Sequence, residues 1–185
     1  MPALYRVFPY LAASGKYEPG GPLYVPPQGA GRIDNAGTYF VLYLSDTAAG
    51  AIAEAFGRFP EWTDAILEGN PSLPGSVRAV ARYRLGEDAP VCDLDDPEQL
   101  IALGLRPSEI VSRDYTRSRE WARRIHAQGR WSGVRWWSYY YPAWFSFGLW
   151  DTKQLSLDEV TPLSLDYPAL LEAGRTIVRR VVRAR

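Results

Sequence analysis

The sequence predicts an α+β fold in a single domain. Three observations carry this. Several short stretches alternate apolar and polar residues at the two-residue period of a strand, others repeat at helical period, and the two kinds are interspersed along the chain. No linker, internal repeat or shift of composition divides the 185 residues, a length that closes one substantial core. A hydrophobic content of 46% with 23% charged residues excludes a disordered chain. The expected core spans about residues 3–165, followed by a helical tail over 166–185.

"ALYRVFP" alternates Leu4, Arg6 and Phe8 against Tyr5 and Val7, a short strand ended by Pro9. Residues 14–37 are rich in glycine and proline and read as one long irregular loop, a kind that is usually functional or mobile. The strand that follows places Phe40, Leu42 and Leu44 on one face, and Tyr39, Val41, Tyr43 and Ser45 on the other. Ser45 or Asp46 is positioned to cap the next helix, whose packing stripe is Ala48, Ile52, Ala55, Phe56 and Phe59. "GNPSLPG" breaks the chain, and "SVRAVARYRL" alternates as a second long strand.

"VCDLDDPEQLIALGL" contains a DxDD run of the kind that can hold magnesium. Asp96, Pro97 and Gln99 explain it better as a helix start. A helix is expected after Tyr115, and "WSGVRWWSYYYPAWFSFGLWD" reads as two strands broken near Pro142. In the tail, Leu170, Leu171, Ile177, Val178, Val181 and Val182 keep helical spacing.

Composition narrows the function. The 21 basic and 21 acidic residues cancel, so no global field gathers nucleic acid or anionic lipid. Cys92 is the only cysteine and His126 the only histidine, which leaves no intrachain disulfide and no His/Cys zinc site. His126 falls in a helical stretch, where a surface or packing role is expected. With no signal-peptide pattern and no apolar run of membrane length, a soluble cytoplasmic protein is expected.

Four residues stand out chemically. Glu54 is the lone acid among Ala, Gly, Ile and Phe, and it forms either an exposed pair with Arg58 or the acidic group of a site that a ligand can approach. Arg6 sits mid-strand, either as an edge arginine or as a fork of donors for a phosphate or ribose. Tyr43 shares a face with Tyr39. Ser138 follows Trp136 and Trp137; with His126 as its only possible base, it is a better hydrogen-bond donor than nucleophile.

In order, "YR" at 5–6, "GRIDNAG" at 31–37, "VLYLS" at 41–45, Glu54, and "GVRWWS" ending at Ser138 resemble the RES domain family, over residues 3 to about 165. Relatives commonly carry a tryptophan after the loop arginine; here Ile33 and Asp34 stand between Arg32 and Asn35. The resemblance implies an ADP-ribosyltransferase-like fold, a split mixed β core with flanking helices and a cleft for NAD. It implies a toxin of a toxin–antitoxin system that degrades NAD at the nicotinamide–ribose bond, with no metal and no cofactor beyond NAD as substrate. It implies a small antitoxin with a helix-turn-helix domain that blocks the cleft. By motif position Arg6, Tyr43, Glu54 and Ser138 would form the catalytic set, Glu54 stabilising the ribosyl cation, and Arg6, Arg32, Asn35, Tyr43 and Ser138 would bind NAD. Two alternatives share the sequence features: an ADP-ribosyltransferase acting on a protein, and a non-catalytic module in which the seven Trp and twelve Tyr build a stacking surface.

Overall fold

Seven strands form one mixed sheet. In the computed structural model, which describes residues 2–26 and 28–183, these are β1 (Ala3–Tyr10), β2 (Leu42–Ser45), β4 (Val77–Leu85), β5 (Val91–Asp93), β6 (Gly133–Trp137), β7 (Phe145–Leu149) and β8 (Leu155–Pro162). Their order across the sheet is β5-β6-β7-β2-β1-β4-β8, with β5 and β6 parallel and the other neighbours antiparallel. A separate two-stranded parallel pair joins β3 (Glu61–Trp62) to β9 (Arg180–Val181). With its flanking helices the chain is a mixed α/β domain, as its interspersed periods require.

The sheet has a thin seam. β1 meets β4 through eight register pairs but meets β2 through one, Tyr5↔Ser45. Two well-paired half-sheets are therefore joined at a single point, the split in the β core.

Helix α1 (Ala48–Phe56) crosses that seam. Ala49, Ile52, Ala53 and Phe56 are buried against Val80, Trp144, Leu165, Leu170 and Ala173. Its small residues have a direct cause: a Cβ on Gly50 would lie 2.4 Å from Ser45 Oγ and 3.3 Å from Trp144 Cβ, so the helix can sit this close to the sheet only with glycine there. The cap is Thr47, whose hydroxyl accepts from Gly50 N at 3.0 Å, and not the expected Ser45 or Asp46. Those two face β7 instead: Ser45 Oγ donates to the Phe145 carbonyl and Asp46 accepts from Phe145 N. Phe59 lies past the helix end and is exposed, and Phe40 precedes β2 and is 55% exposed, so neither belongs to the apolar faces assigned to them.

The DxDD run is structural. Asp96 accepts from Glu98 N and caps α2 (Pro97–Leu103), while Asp93 pairs with Arg135 on the neighbouring strand. Among the described residues no group of three or more His, Cys, Asp and Glu is placed to hold a metal ion. After the short α3 (Pro107–Ile110), α4 (Tyr115–His126) buries Trp121, Ala122 and Ile125 on Cys92, Leu94, Val134 and Trp136. His126 packs its ring on Tyr39 at 4.5 Å and on Trp150 at 5.3 Å.

The tail departs from its helical period. α5 (Pro168–Thr176) ends, Val178 turns with φ of 55°, and the chain returns as β9 beside β3. Val182 N bonds to the Trp62 carbonyl and Arg179 Nε to that of Gly57, contacts that a continued helix could not make. Residues 184–185 of the expected helical tail lie outside the described residues. The sequence pattern does not predict β8, which lies at the edge of the sheet. Among the described residues no helix is long and apolar enough to cross a membrane.

Ile33 packs the 14–37 loop onto β7. Ile33 is fully buried, and a Cβ on Gly148 would lie 2.3 Å from Ile33 Cδ1. Gly148→Ala is therefore expected to lower stability by about 1–3 kcal/mol, as overpacking does, read as a lower urea midpoint at unchanged slope.

Candidate active site

At the seam, where β1 and β2 part, the surface opens into a cavity of about 720 Å³. Its walls are Tyr5, Arg6 and Val7 from β1; Tyr43, Leu44 and Ser45 from β2; Glu54 from α1; Ser146 from β7; and Gly31 and Arg32 from the long loop. Arg113, Tyr115, Tyr139 and Tyr140 complete the mouth. The volume lies in the range of small-molecule and cofactor sites.

Glu54 is the acid of this cavity. It does not pair with Arg58, whose guanidinium lies over the Phe59 ring. Ser138 Oγ donates to Glu54 Oε1 at 2.6 Å and Ser146 Oγ to the same oxygen at 3.4 Å. Oε2 receives no hydrogen bond from the described residues. Glu54 is exposed at the cavity surface, so protein replaces only part of the water around its carboxyl. Partial loss of water pushes its pKa up; the Ser138 hydroxyl, the Arg32 charge and the Ser146 hydroxyl pull the other way.

Ser138 is 3% exposed and lies beneath the cavity wall, so it touches Glu54 and not the open space. Its Oγ also accepts from Tyr140 N at 3.1 Å, which directs its one proton to the carboxylate.

Arg6 lines the cavity from β1. Its Nη1 donates to the carbonyls of Pro22 (3.1 Å) and Tyr24 (2.8 Å), so the strand arginine also straps the loop. Burial lowers its pKa from the ordinary value. Arg32 lines the cavity with its guanidinium bonded to the carbonyls of Ile110 and Ser112 and 5.1 Å from the Tyr115 ring. Tyr43 presents its ring edge-on to Trp136 at 6.5 Å. Its hydroxyl donates to Asp34 Oδ1 at 2.6 Å and accepts from Ile33 N at 3.1 Å, and burial pushes its pKa up. Asn35 is outside the cavity lining. Its Nδ2 donates to Tyr39 Oη at 2.8 Å and to the Arg119 carbonyl at 3.0 Å, a loop-holding role rather than a ligand-facing one.

The structure thus brings Arg6, Arg32, Tyr43 and Glu54 around one cavity, with Ser138 behind Glu54 and Asn35 behind the loop. Sequence reasoning missed Ser146, Asp34 and the mouth residues Arg113, Tyr115, Tyr139 and Tyr140. Ser146 had a weak signal, since strand alternation in "FSFGL" sets it apart from Phe145 and Phe147. The Trp residues build no open platform: Trp62, Trp121, Trp136 and Trp144 are buried and the other three half-buried.

A mixed sheet opened at a seam, with an acid and two arginines around the gap, defines a class of small α/β domains with a built polar cleft. Residues 3–169 match the family model of the RES domain, and the chain belongs to that family. Among solved structures it is similar to MbcT in the crystal structure of the M. tuberculosis MbcT-MbcA toxin-antitoxin complex. The TM-score is 0.61 at 16% identity, over 95% of this chain and 88% of that one. At that identity the likeness establishes the fold. No curated protein matches the chain.

Glu54 gives two expectations. A carboxyl whose pKa is raised on folding favours the fold in its protonated form, so that contribution is present below the unfolded pKa and lost as pH rises through the folded one. Glu54→Gln is therefore expected to melt higher than wild type at neutral pH, with the difference closing in acid. Carboxyl-detected NMR is expected to place Glu54 above the usual glutamate range, and Ser138→Ala, which removes the nearer donor, to move it higher still.

Proposed function

We propose that this protein is the toxin of a toxin–antitoxin pair, an enzyme that depletes NAD by breaking the nicotinamide–ribose bond. The observation that carries the reading is Glu54, with one oxygen held by two serine hydroxyls and the other without a donor among the described residues, in a cavity also lined by arginine. The toxin–antitoxin part rests on family membership and on the fold shared with MbcT.

In this reaction the C1′–N bond breaks and its electron pair goes to the pyridinium ring, which leaves as neutral nicotinamide without needing a proton. Positive charge builds on C1′ and the ring oxygen, an oxocarbenium-like state as in glycoside cleavage. Glu54 Oε2 meets that charge, or accepts a hydrogen bond from the ribose 2′-hydroxyl. The acid works because Ser138 and Ser146 fix it before the charge appears, so little reorganisation is needed as the bond breaks. Arg6, with Nη1 tied to the loop and its guanidinium also bonded to Tyr83, offers the N–H groups left over to pyrophosphate or ribose. The Tyr43 hydroxyl is already taken by Asp34 and Ile33 N, so it contributes a ring wall rather than a hydrogen bond. An acceptor, whether water, phosphate or a protein side chain, then closes on C1′.

The antitoxin would cover the mouth. Tyr115 and Tyr139 are 38% and 50% exposed there, beside Arg113, which bonds to the Tyr139 hydroxyl. Aromatic and arginine side chains are the residues that anchor interfaces.

Purified protein incubated with NAD is expected to release nicotinamide, and folded Glu54→Gln to do so at least about 100-fold more slowly, the scale of losing one preorganised electrostatic partner. No release by wild type, or an equal rate in Glu54→Gln, overturns the reading. Transfer of labelled ADP-ribose to a specific protein in lysate, with no free product, would instead make it a transferase.

A further inference from the structure

We infer that Asp34 is a positioning residue that holds the dinucleotide-binding wall of the cavity, separately from the wall that carries Glu54. The inference rests on the function proposed above.

Asp34 is 5% exposed and makes no ion pair among the described residues. A carboxylate so placed persists only where hydrogen-bond donors replace water. Three do. Oδ2 accepts from Gly29 N at 2.9 Å and from Gly31 N at 2.6 Å, and Oδ1 accepts from the Tyr43 hydroxyl at 2.6 Å. One side chain thus ties two loop peptides to a β2 side chain. Gly31 is part of the device, since a Cβ there would lie 2.4 Å from Tyr43 Oη and 2.6 Å from Asp34 Oδ1.

The carbonyls of the same segment are held from α4. Arg119 donates to those of Gly29 (2.8 Å) and Gly31 (3.1 Å), and Ser118 Oγ to that of Arg32 at 2.6 Å. With both edges of the peptides fixed, Gly31 and Arg32 face the cavity beside the Tyr43 ring. Glu54, Ser138 and Ser146 share none of these bonds; they stand on α1, after β6 and on β7. The cavity therefore has two walls built from different parts of the chain. Loosening the Asp34 wall weakens substrate capture and leaves the acid in place.

Steady-state kinetics with NAD and hydrogen exchange at the Gly29 and Gly31 amides test this together. Asp34→Ala is expected to raise KM about tenfold, the scale of a lost hydrogen bond to a charged group, with kcat within about threefold of wild type. Asp34→Asn keeps an acceptor for Tyr43 but puts a donor toward the glycine amides, and is expected to fall between. Tyr43→Phe in the Asp34→Ala background is expected to add less than it does in wild type, because the bond to Asp34 is already gone and only that from Ile33 N remains to be lost. Amide exchange at Gly29 and Gly31 is expected to speed at least about tenfold in Asp34→Ala. A kcat loss at unchanged KM overturns the inference, as does unchanged exchange at both glycines. If Asp34→Ala does not fold, Asp34→Asn carries the same two readouts. If wild type turns over no NAD, the functional reading fails on its own, and the exchange data decide whether Asp34 holds the wall.

Discussion

Between Ser138 Oγ and Glu54 Oε1 lie 2.6 Å, and the surrounding structure is arranged so that this contact can exist. An acid in a concave, partly dry place tends to take up a proton, because the charged form has lost water. A hydroxyl whose proton is already directed at the carboxylate counters that tendency. Ser138 is so directed, since Tyr140 N occupies its acceptor side and Ser138 N is bonded to the Trp144 carbonyl at 2.7 Å. Ser146 adds a second, longer donor. The close approach of α1 to the sheet follows from Gly50, and its passage past the 138–144 turn from Gly57, where a Cβ would lie 2.4 Å from the Tyr140 ring. The small-residue helix is thus a packing solution that brings an acid down onto two serines.

The rest of the cavity comes from the Gly/Pro loop. That segment looks irregular because its peptide groups bond to side chains instead of to a ladder: Asp34 takes two amides, Arg119 two carbonyls and Ser118 a third. Ile33 anchors it in the core against Val41 and Gly148. The two residues that set this chain apart from the common family motif, Ile33 and Asp34, are the ones that fasten the loop.

Much of this was legible in the sequence, and the failures have physical causes. Long alternating runs gave β1 and β4, and the two faces of the β2 segment sort as alternation requires, Leu42 and Leu44 into one cluster, Tyr39, Val41 and Tyr43 toward another. β8 escaped because "LSLDEVTP" is an edge strand with much of its surface exposed, so neither period is strong. β3 and β9 are two residues each, too short to show a period, and Val181 kept helical spacing while pairing as strand. In the site, Glu54 and Arg6 stood out as charges among apolar residues. Asp34 did not, since a lone aspartate in a glycine loop reads as a turn residue, and its third donor is brought to it only by the placement of β2. Asn35 misled for the opposite reason: its motif position adjoins the cavity, but its amide is occupied behind the wall.

The single Tyr5↔Ser45 pair between the half-sheets has a mechanical meaning. Elsewhere neighbouring strands share rows of backbone bonds; at this seam α1 and the side chains around the opening carry the load between halves. A molecule gripped by Arg6 on one flank and by the Tyr43 flank on the other would act as a splint across the joint.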